Sequence, residues 1–340
     1  MTATDIAALA RPSGTWHFPS PFGWRTLLVA IVAFMVLFRT GADVEIGPAI
    51  FESGKGIAAV AGLADDSQVA RGFGTILVRM FPPQLAEITE IGRIAGFDRD
   101  RLPLFARVET QTLVVQSLDP ETMRMVARAT EREVLVEPFG YLRQVVAKLI
   151  ETLEIATWGT LLAVLIGVPL AILGARNLSP HPLLVILSRC VVSLLRSVPE
   201  LISALFFVLA YGFGPAAGVL ALALHAAGFL GKFYAEDIEN ADPGPQEALT
   251  AVGSNRLKVL RYAILPQVLP QYVAYTLYIL DRNVRMATVI GLVGAGGIGM
   301  ELKGRYDLYQ YAHVGTILIA IFVLVFAIDQ LSSWLRRRLI

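Results

Sequence analysis

Four polar residues crowd into an otherwise apolar stretch of the C-terminal third: Asp281, Arg282, Asn283 and Arg285. Placing a charge at the centre of a membrane helix costs about 2.5–3.5 kcal/mol, so each must face a partner or a water-filled path. Asp281 and Arg285 are four residues apart and can pair along one helix face, as a brace between spans. Arg282 and Arg285 also admit a second reading, since guanidinium groups pair with oxyanions and attract an anionic solute in transit. Arg196 and Arg189, two helical turns apart, can line the same path, although Arg189 can equally snorkel to the interface. Glu200 is expected to pair with Arg196, and His225, mid-way along an apolar run, is expected to be a packed histidine rather than a proton relay.

Gly294-Ala295-Gly296-Gly297-Ile298-Gly299 satisfies G-x-G-x-x-G literally. A dinucleotide site needs that tract between a strand and a helix of a βαβ unit, and here an apolar span precedes it. The expectation is instead a tight bend, with Gly294, Gly296, Gly297 and Gly299 permitting close helix contact or positive φ. No Gly-x-x-x-x-Gly-Lys-[Ser/Thr] occurs, so this chain carries no Walker A loop; no nucleophile triad or metal-ligand cluster stands out. Cys190, the one cysteine, cannot close an internal disulfide and is expected to pack.

Such residues need membrane helices to position them. Of 340 residues, 55% are hydrophobic and only 17% charged, against about 25% in a typical soluble domain. The net charge of +1 gives no pull on nucleic acid. About 20 mostly apolar residues cross the hydrocarbon core, and six stretches meet or approach that: Phe22–Phe38, Leu153–Leu173, a run from Leu183 towards Phe213 that Pro199 should kink, Pro215–Gly231, a run from Tyr272, and Val314–Ile328. The first is expected to be an uncleaved anchor, because no small-x-small pattern follows it. Arg336, Arg337 and Arg338 place the C-terminus in the cytoplasm by the positive-inside rule, and six crossings place the N-terminus there too. The expected layout is a cytoplasmic segment 1–21, a first span 22–40, an extracytoplasmic insert 41–140 and a transmembrane domain 141–340 with a cytoplasmic loop 236–270. Within the insert, Gln84–Ile94 and Pro120–Val134 read as amphipathic helices, and Tyr141–Ile150 as an amphipathic lead-in to the second span.

The cytoplasmic loop is the most informative stretch. Asp242-Pro243-Gly244-Pro245 reads as a turn, followed by a helix from Gln246 with acidic Glu247 in its first turn. Gly253 allows a bend or close approach of another backbone, and Pro266 should end the helix. Glu247-Ala248, then Gly253, then Leu265-Pro266 resembles the EAA motif of ABC importer permeases. Leu249 departs from it where a second small residue is common, and Ala263 where isoleucine is. Arg196-Ser197-Val198-Pro199-Glu200 is similar to the Arg-x-x-Pro element of the same permeases. Gly174-Ala175-Arg176-Asn177, Gly231–Glu236 and Asn283–Gly299 look like the phosphonate branch. The likeness covers about Leu153 to the C-terminus and leaves the insert out.

The resemblance implies an all-α membrane protein of six transmembrane helices, with the type I (MetI-like) importer permease architecture and an external insert between the first two spans. It implies a transport subunit, not an enzyme, of the plasma (inner) membrane of a prokaryote, carrying phosphonate or a phosphate- or phosphite-like oxyanion. Glu247, Ala248, Gly253, Ser254, Asn255 and Arg256 would dock a cytoplasmic ATPase dimer, which binds the ATP and Mg²⁺ that this chain does not. Arg196, Asp281, Arg282, Asn283 and Arg285 would lie along the substrate path, with Pro199 and the glycine tract as bends. An extracytoplasmic phosphonate-binding protein and a second permease copy, identical or paralogous, would complete the assembly. A secondary transporter would explain the intramembrane charges as an ion path but predicts an inverted repeat, which the sequence does not show. A lipid-modifying enzyme would need a catalytic cluster at the interface, and none stands out.

Overall fold

The computed structural model describes residues 23–60, 67–94, 96–99, 102–103, 105–118 and 125–339. The expected segment 1–21, Phe22, and the charged residues Asp65, Asp66, Asp100 and Arg101 lie outside the described residues. The chain divides into two compact units, 1–76 and 77–340.

In the first unit, α1 (Trp24–Asp43) is a 20-residue apolar helix with no buried residue, so Leu, Val, Ile and Phe are offered on every face. That suits a helix whose solvent is lipid. Two further helices follow, α2 (Ile46–Val60) and α3 (Gln68–Met80), which the sequence reading left unassigned; α3 runs across the unit boundary.

In the second unit, the two helices expected in the insert are replaced by a sheet. Strands β1 (Glu87–Glu90), β2 (Arg107–Leu118) and β3 (Met125–Glu137) form an antiparallel sheet in the order β1-β3-β2. Glu87 stands opposite Glu137, and Arg107 opposite Val136. Ile91–Arg93 is a single 3₁₀ turn, and Pro120–Arg124 of the second expected helix lies outside the described residues. The reason lies in residue type: Val108, Thr110 and Thr112 of β2, like Val134 and Val136 of β3, lose side-chain freedom in a helix and fit a pleated surface. Val134, Leu135 and Val136 of β3 are buried. The fold is therefore mostly helical with a small sheet, not all-α. The chain leaving α3 is tied to the last helix: Gln84 N donates to Ala312 O at 3.1 Å, and Thr316 Oγ1 donates to Gln84 O at 2.6 Å.

The helical body comprises α4 (Gly140–Gly174), α5 (Pro182–Ser197), α6 (Glu200–Tyr211), α7 (Pro215–Asn240), α8 (Pro243–Ala251), α9 (Arg256–Val259), α10 (Leu265–Gly291), α11 (Gly297–Asp307) and α12 (Tyr311–Leu339). The central α7 packs against α4, α5, α6 and α10. Lipid tails are as apolar as the side chains, so helix association here rests on close backbone approach. A Cβ on Gly159 of α4 would lie 2.9 Å from Leu222 Cβ, and one on Gly167 would lie 3.2 Å from Leu230 Cβ. Alanines and glycines of α7 fill the rest of that seam, including Ala221, Ala226, Ala227 and Gly231. Cys190, expected to pack, is exposed on α5.

Several boundaries differ from expectation. The amphipathic lead-in Tyr141–Ile150 is the first part of α4, one unbroken 35-residue helix. The fourth expected span continues past Gly231 to Asn240. Pro266 does not end a helix. The chain passes from α9 through a π turn at Leu260–Ile264 into α10, with Pro266 in its first turn; the wider turn absorbs the ring and the missing N–H. The expected kink is present: α5 and α6 meet at 88°. Val198 is extended (φ −85°, ψ 120°), as a residue before proline prefers, and Pro199 is the N-cap of the next helix.

Four described helices are long and apolar enough to cross a membrane: α1, α4, α7 and α12. The broken pair α5–α6 makes a fifth if it counts as one span. The 27-residue α10 is as long as a crossing requires but carries Asp281, Arg282 and Arg285.

Candidate functional site

The loop after α7 is a small rigid hairpin. Asp242 caps α8, its Oδ1 accepting from Gly244 N at 2.9 Å. Pro243 and Pro245 sit in the first turn, where their missing N–H groups cost nothing, so the expected turn at 242–245 is the helix start. At the other end Ser254 N donates to Leu249 O at 3.0 Å and Gly253 N to Thr250 O at 2.9 Å, a Schellman cap with Gly253 in the left-handed conformation (φ 77°). Asn255 then caps α9 by accepting from Lys258 N at 3.0 Å. Arg256 turns inward and donates to Leu178 O at 3.3 Å and Ser179 O at 2.5 Å. Of the six expected docking residues, Ser254, Asn255 and Arg256 thus shape the hairpin, while Glu247, Ala248 and Gly253 are exposed. Two apolar residues stand at the surface beside them: Val252 is 77% and Leu257 72% exposed.

The hairpin is anchored on the Ala-Arg-Asn loop. Asn177 Nδ2 donates to Ile238 O at 2.8 Å and to Gln246 Oε1 at 3.2 Å, and Arg176 N donates to Glu239 Oε1 at 2.7 Å. The same Glu239 oxygen receives Arg189 at 2.6 Å, and Arg189 Nε also donates to Gly174 O at 3.0 Å. Arg189 therefore serves this junction, beside a cavity of about 300 Å³ that Arg196, Lys232 and Glu236 also line.

The four polar residues of α10 go three ways. Arg285 pairs with Asp281, as the spacing predicts. Asn283 is buried and donates through Nδ2 to Thr160 Oγ1 on α4 at 2.9 Å. Arg282 faces the break between α5 and α6, where it pairs with Glu200, so Glu200 is not the partner of Arg196. The pairing follows from the break: Glu200 is the first residue of α6, turned 88° away from the axis that carries Arg196. His225 of α7 completes the group, with Nδ1 3.0 Å from Val198 O, and Nε2 3.2 Å from both Glu200 Oε1 and Arg282 Nη2. The guanidinium carbons of Arg196 and Arg282 lie 4.9 and 5.0 Å from the centre of the Phe229 ring. Phe229 was missed; its one signal is that it stands a helical turn after a histidine in a membrane run.

The glycine tract makes the expected bend. Gly294, Gly296 and Gly297 all have positive φ. Gly297 shows why glycine is required: φ is 68°, and a Cβ would lie 2.6 Å from Thr152 Oγ1. Its N–H donates to Glu151 Oε1 at 2.9 Å, and Ile298 N donates to Thr152 Oγ1 at 2.8 Å, so the bend is stitched to α4. Among the described residues, no group of three or more His, Cys, Asp and Glu is arranged to hold a metal.

Residues 167–340 match the family described as binding-protein-dependent transport system inner membrane component. The putative phosphite transport system permease protein HtxE of Stutzerimonas stutzeri is 59% identical over 261 residues, 77% of this chain and 100% of that one. The putative cryptic phosphonate transport system permease protein PhnE2 of Escherichia coli (strain K12) is 42% identical over 122 residues, 36% of this chain and 100% of that one. Among solved structures, a chain of the inward-facing MetNI methionine ABC transporter superposes with a TM-score of 0.51 at 23% identity, covering 58% of this chain and 96% of that one. That likeness is one of fold, the MetI-like type I importer permease. Family match, relatives and fold agree: this chain belongs to the binding-protein-dependent transport system inner membrane component family.

Proposed function

We propose that this chain forms, with a second copy or a paralogue, the membrane pathway of an ATP-driven importer for phosphite, phosphonate or a related small phosphorus oxyanion. Six crossings are counted by taking α5–α6 as one broken span and α10 as a charged one lining the path; both termini then face the cytoplasm. The sheet and α2–α3 belong to an extracytoplasmic insert. A cytoplasmic ATPase dimer docks on α8 and supplies ATP and Mg²⁺ binding, and an extracytoplasmic binding protein delivers the solute.

The observation that carries this reading is the capped hairpin Asp242–Ser254. It holds a nine-residue helix rigidly between two caps and presents Glu247, Ala248 and Val252 outward, on a chain that itself has no Walker A loop. A helix fixed at both ends and tied to the spans through Asn177 and Arg256 transmits a push from a partner without deforming first. The relatives' names and the guanidinium groups at the α5–α6 break favour a phosphorus oxyanion as cargo.

Purification of the chain with its ATPase and binding protein tests this. ATP hydrolysis and uptake into proteoliposomes are expected to rise with phosphite or methylphosphonate and the binding protein together. Uptake that proceeds with no ATP-hydrolysing partner would contradict the proposal and favour a secondary transporter.

A further inference from the structure

We propose that the break between α5 and α6 holds an oxyanion site inside the membrane, in which Arg282 and Arg196 receive the phosphorus oxyanion and Glu200 is its built-in competitor. The proposal rests on the reading of the chain as a phosphorus-oxyanion importer and names where, along the path, the cargo is held.

Spare donors point to it. Arg282 Nη1 and Arg196 Nε are buried and have no hydrogen-bond partner in the chain. A buried guanidinium N–H without an acceptor is costly, and proteins normally satisfy it. Both guanidinium groups lie about 5 Å from the centre of the same Phe229 ring, which supports them through cation–π contact while leaving their edges free. Two cations stand here against one carboxylate, that of Glu200, whose side chain is 9% exposed. With the proton assigned to Nδ1, His225 donates to Val198 O, and its Nε2 is left to accept from Arg282. The positive end of α6 opens at the same place.

The other polar groups of α10 do not compete for this role. Arg285 is held by Asp281, and the buried oxygens without partners nearby, Asp281 Oδ1 and Asn283 Oδ1, are acceptors that repel an anion. Arg282 is thus the α10 cation with a buried spare donor. Glu200 occupies it as a carboxylate would occupy a phosphate site, and an arriving oxyanion displaces that carboxylate. On release Glu200 returns, so the cargo is exchanged rather than trapped.

A simple brace and an exchange site separate in a neutral pair. The complete transporter, with ATPase and binding protein, is reconstituted in proteoliposomes, and phosphite uptake is measured for R282Q, E200Q, R196Q and the double variant R282Q/E200Q. R282Q is expected to lose at least tenfold in uptake, and R196Q to raise KM at least fivefold. E200Q is expected to lower KM several-fold and reduce the maximal rate, since the competitor is gone and release slows. The double variant removes both charges of the Arg282–Glu200 pair together, leaving the net charge of the break unchanged, and so carries the test even where R282Q alone assembles poorly. It is expected to assemble and melt like the wild type yet remain at least tenfold deficient in uptake. Recovery of the double variant to within twofold of wild type, or a raised KM in E200Q, would show that the pair is only a brace and overturn this site alone. A wild-type transporter that moves no phosphorus oxyanion overturns the functional reading and this site with it.

Discussion

Replacing Gly253 isolates backbone conformation from every other property of the hairpin Asp242–Ser254. Its φ of 77° lies in the left-handed region, and a Cβ added there meets no atom within 4 Å of the chain. Steric contact within the permease therefore contributes nothing, and the cost of alanine is the conformational one, about 1–2 kcal/mol. If α8 must hold this conformation to dock, that cost appears in the affinity for the ATPase as a loss of about 5- to 30-fold. Asparagine visits the left-handed region more readily, so G253N should fall between wild type and G253A. Binding of detergent-purified permease to immobilised ATPase, with thermal unfolding of the permease alone as a control, provides the measurement. Wild-type affinity in G253A, or equal losses in G253A and G253N, would refute the reasoning, since neither is compatible with a φ-determined cap.

Three further outcomes follow from the packing. G297A drives a Cβ to 2.6 Å from Thr152 Oγ1 and should lower the melting temperature of the purified permease by several degrees, whereas G304A, with nothing within 4 Å, should not. A double-mutant cycle between Asn283→Ala and Thr160→Ala should give a coupling of about 0.6 kcal/mol in thermal or denaturant unfolding, the usual size for a hydrogen bond between membrane helices; no coupling would mean that the 2.9 Å contact contributes nothing. On the sheet, the hydrogen bond from Arg132 holds the Glu90 carboxyl below its ordinary range. A depressed folded-state pKa gives stability that is complete above the unfolded value, about 4.3, and is lost as pH falls through the folded one; the protection factors of the Glu87–Glu90 amides, each exchange rate taken against the intrinsic rate at the same pH, should fall over that acid range and not near neutral pH.

The features legible in the sequence are those set locally. Pro199 dictates the break after Ser197, Asp281 and Arg285 pair because they are one turn apart, and glycines at 294–299 make a bend whatever surrounds it. The surface of the hairpin, Glu247 and Ala248, was legible through its likeness to a known motif. Features set by distant partners were not. Glu200 lies four residues from Arg196 along the chain, but the 88° turn hands it to Arg282, 82 positions away. Residues 125–134 mix charged and apolar types in a pattern that suits either period, and pairing with β2 decides for strand. Pro243 and Pro245 read as a turn, yet both sit in the first turn of α8, where proline is at home, and Pro266, expected to end a helix, is carried through by the π turn that precedes it.

The account depends on α8 facing the cytoplasm and meeting a partner there. Cys190 is the one cysteine, so E247C on a C190A background gives a single reporter thiol. In membrane vesicles of defined orientation, a membrane-impermeant maleimide is expected to label position 247 from the cytoplasmic side alone, and bound ATPase is expected to shield it. Labelling from the external side, or labelling unaffected by saturating ATPase, would contradict the account.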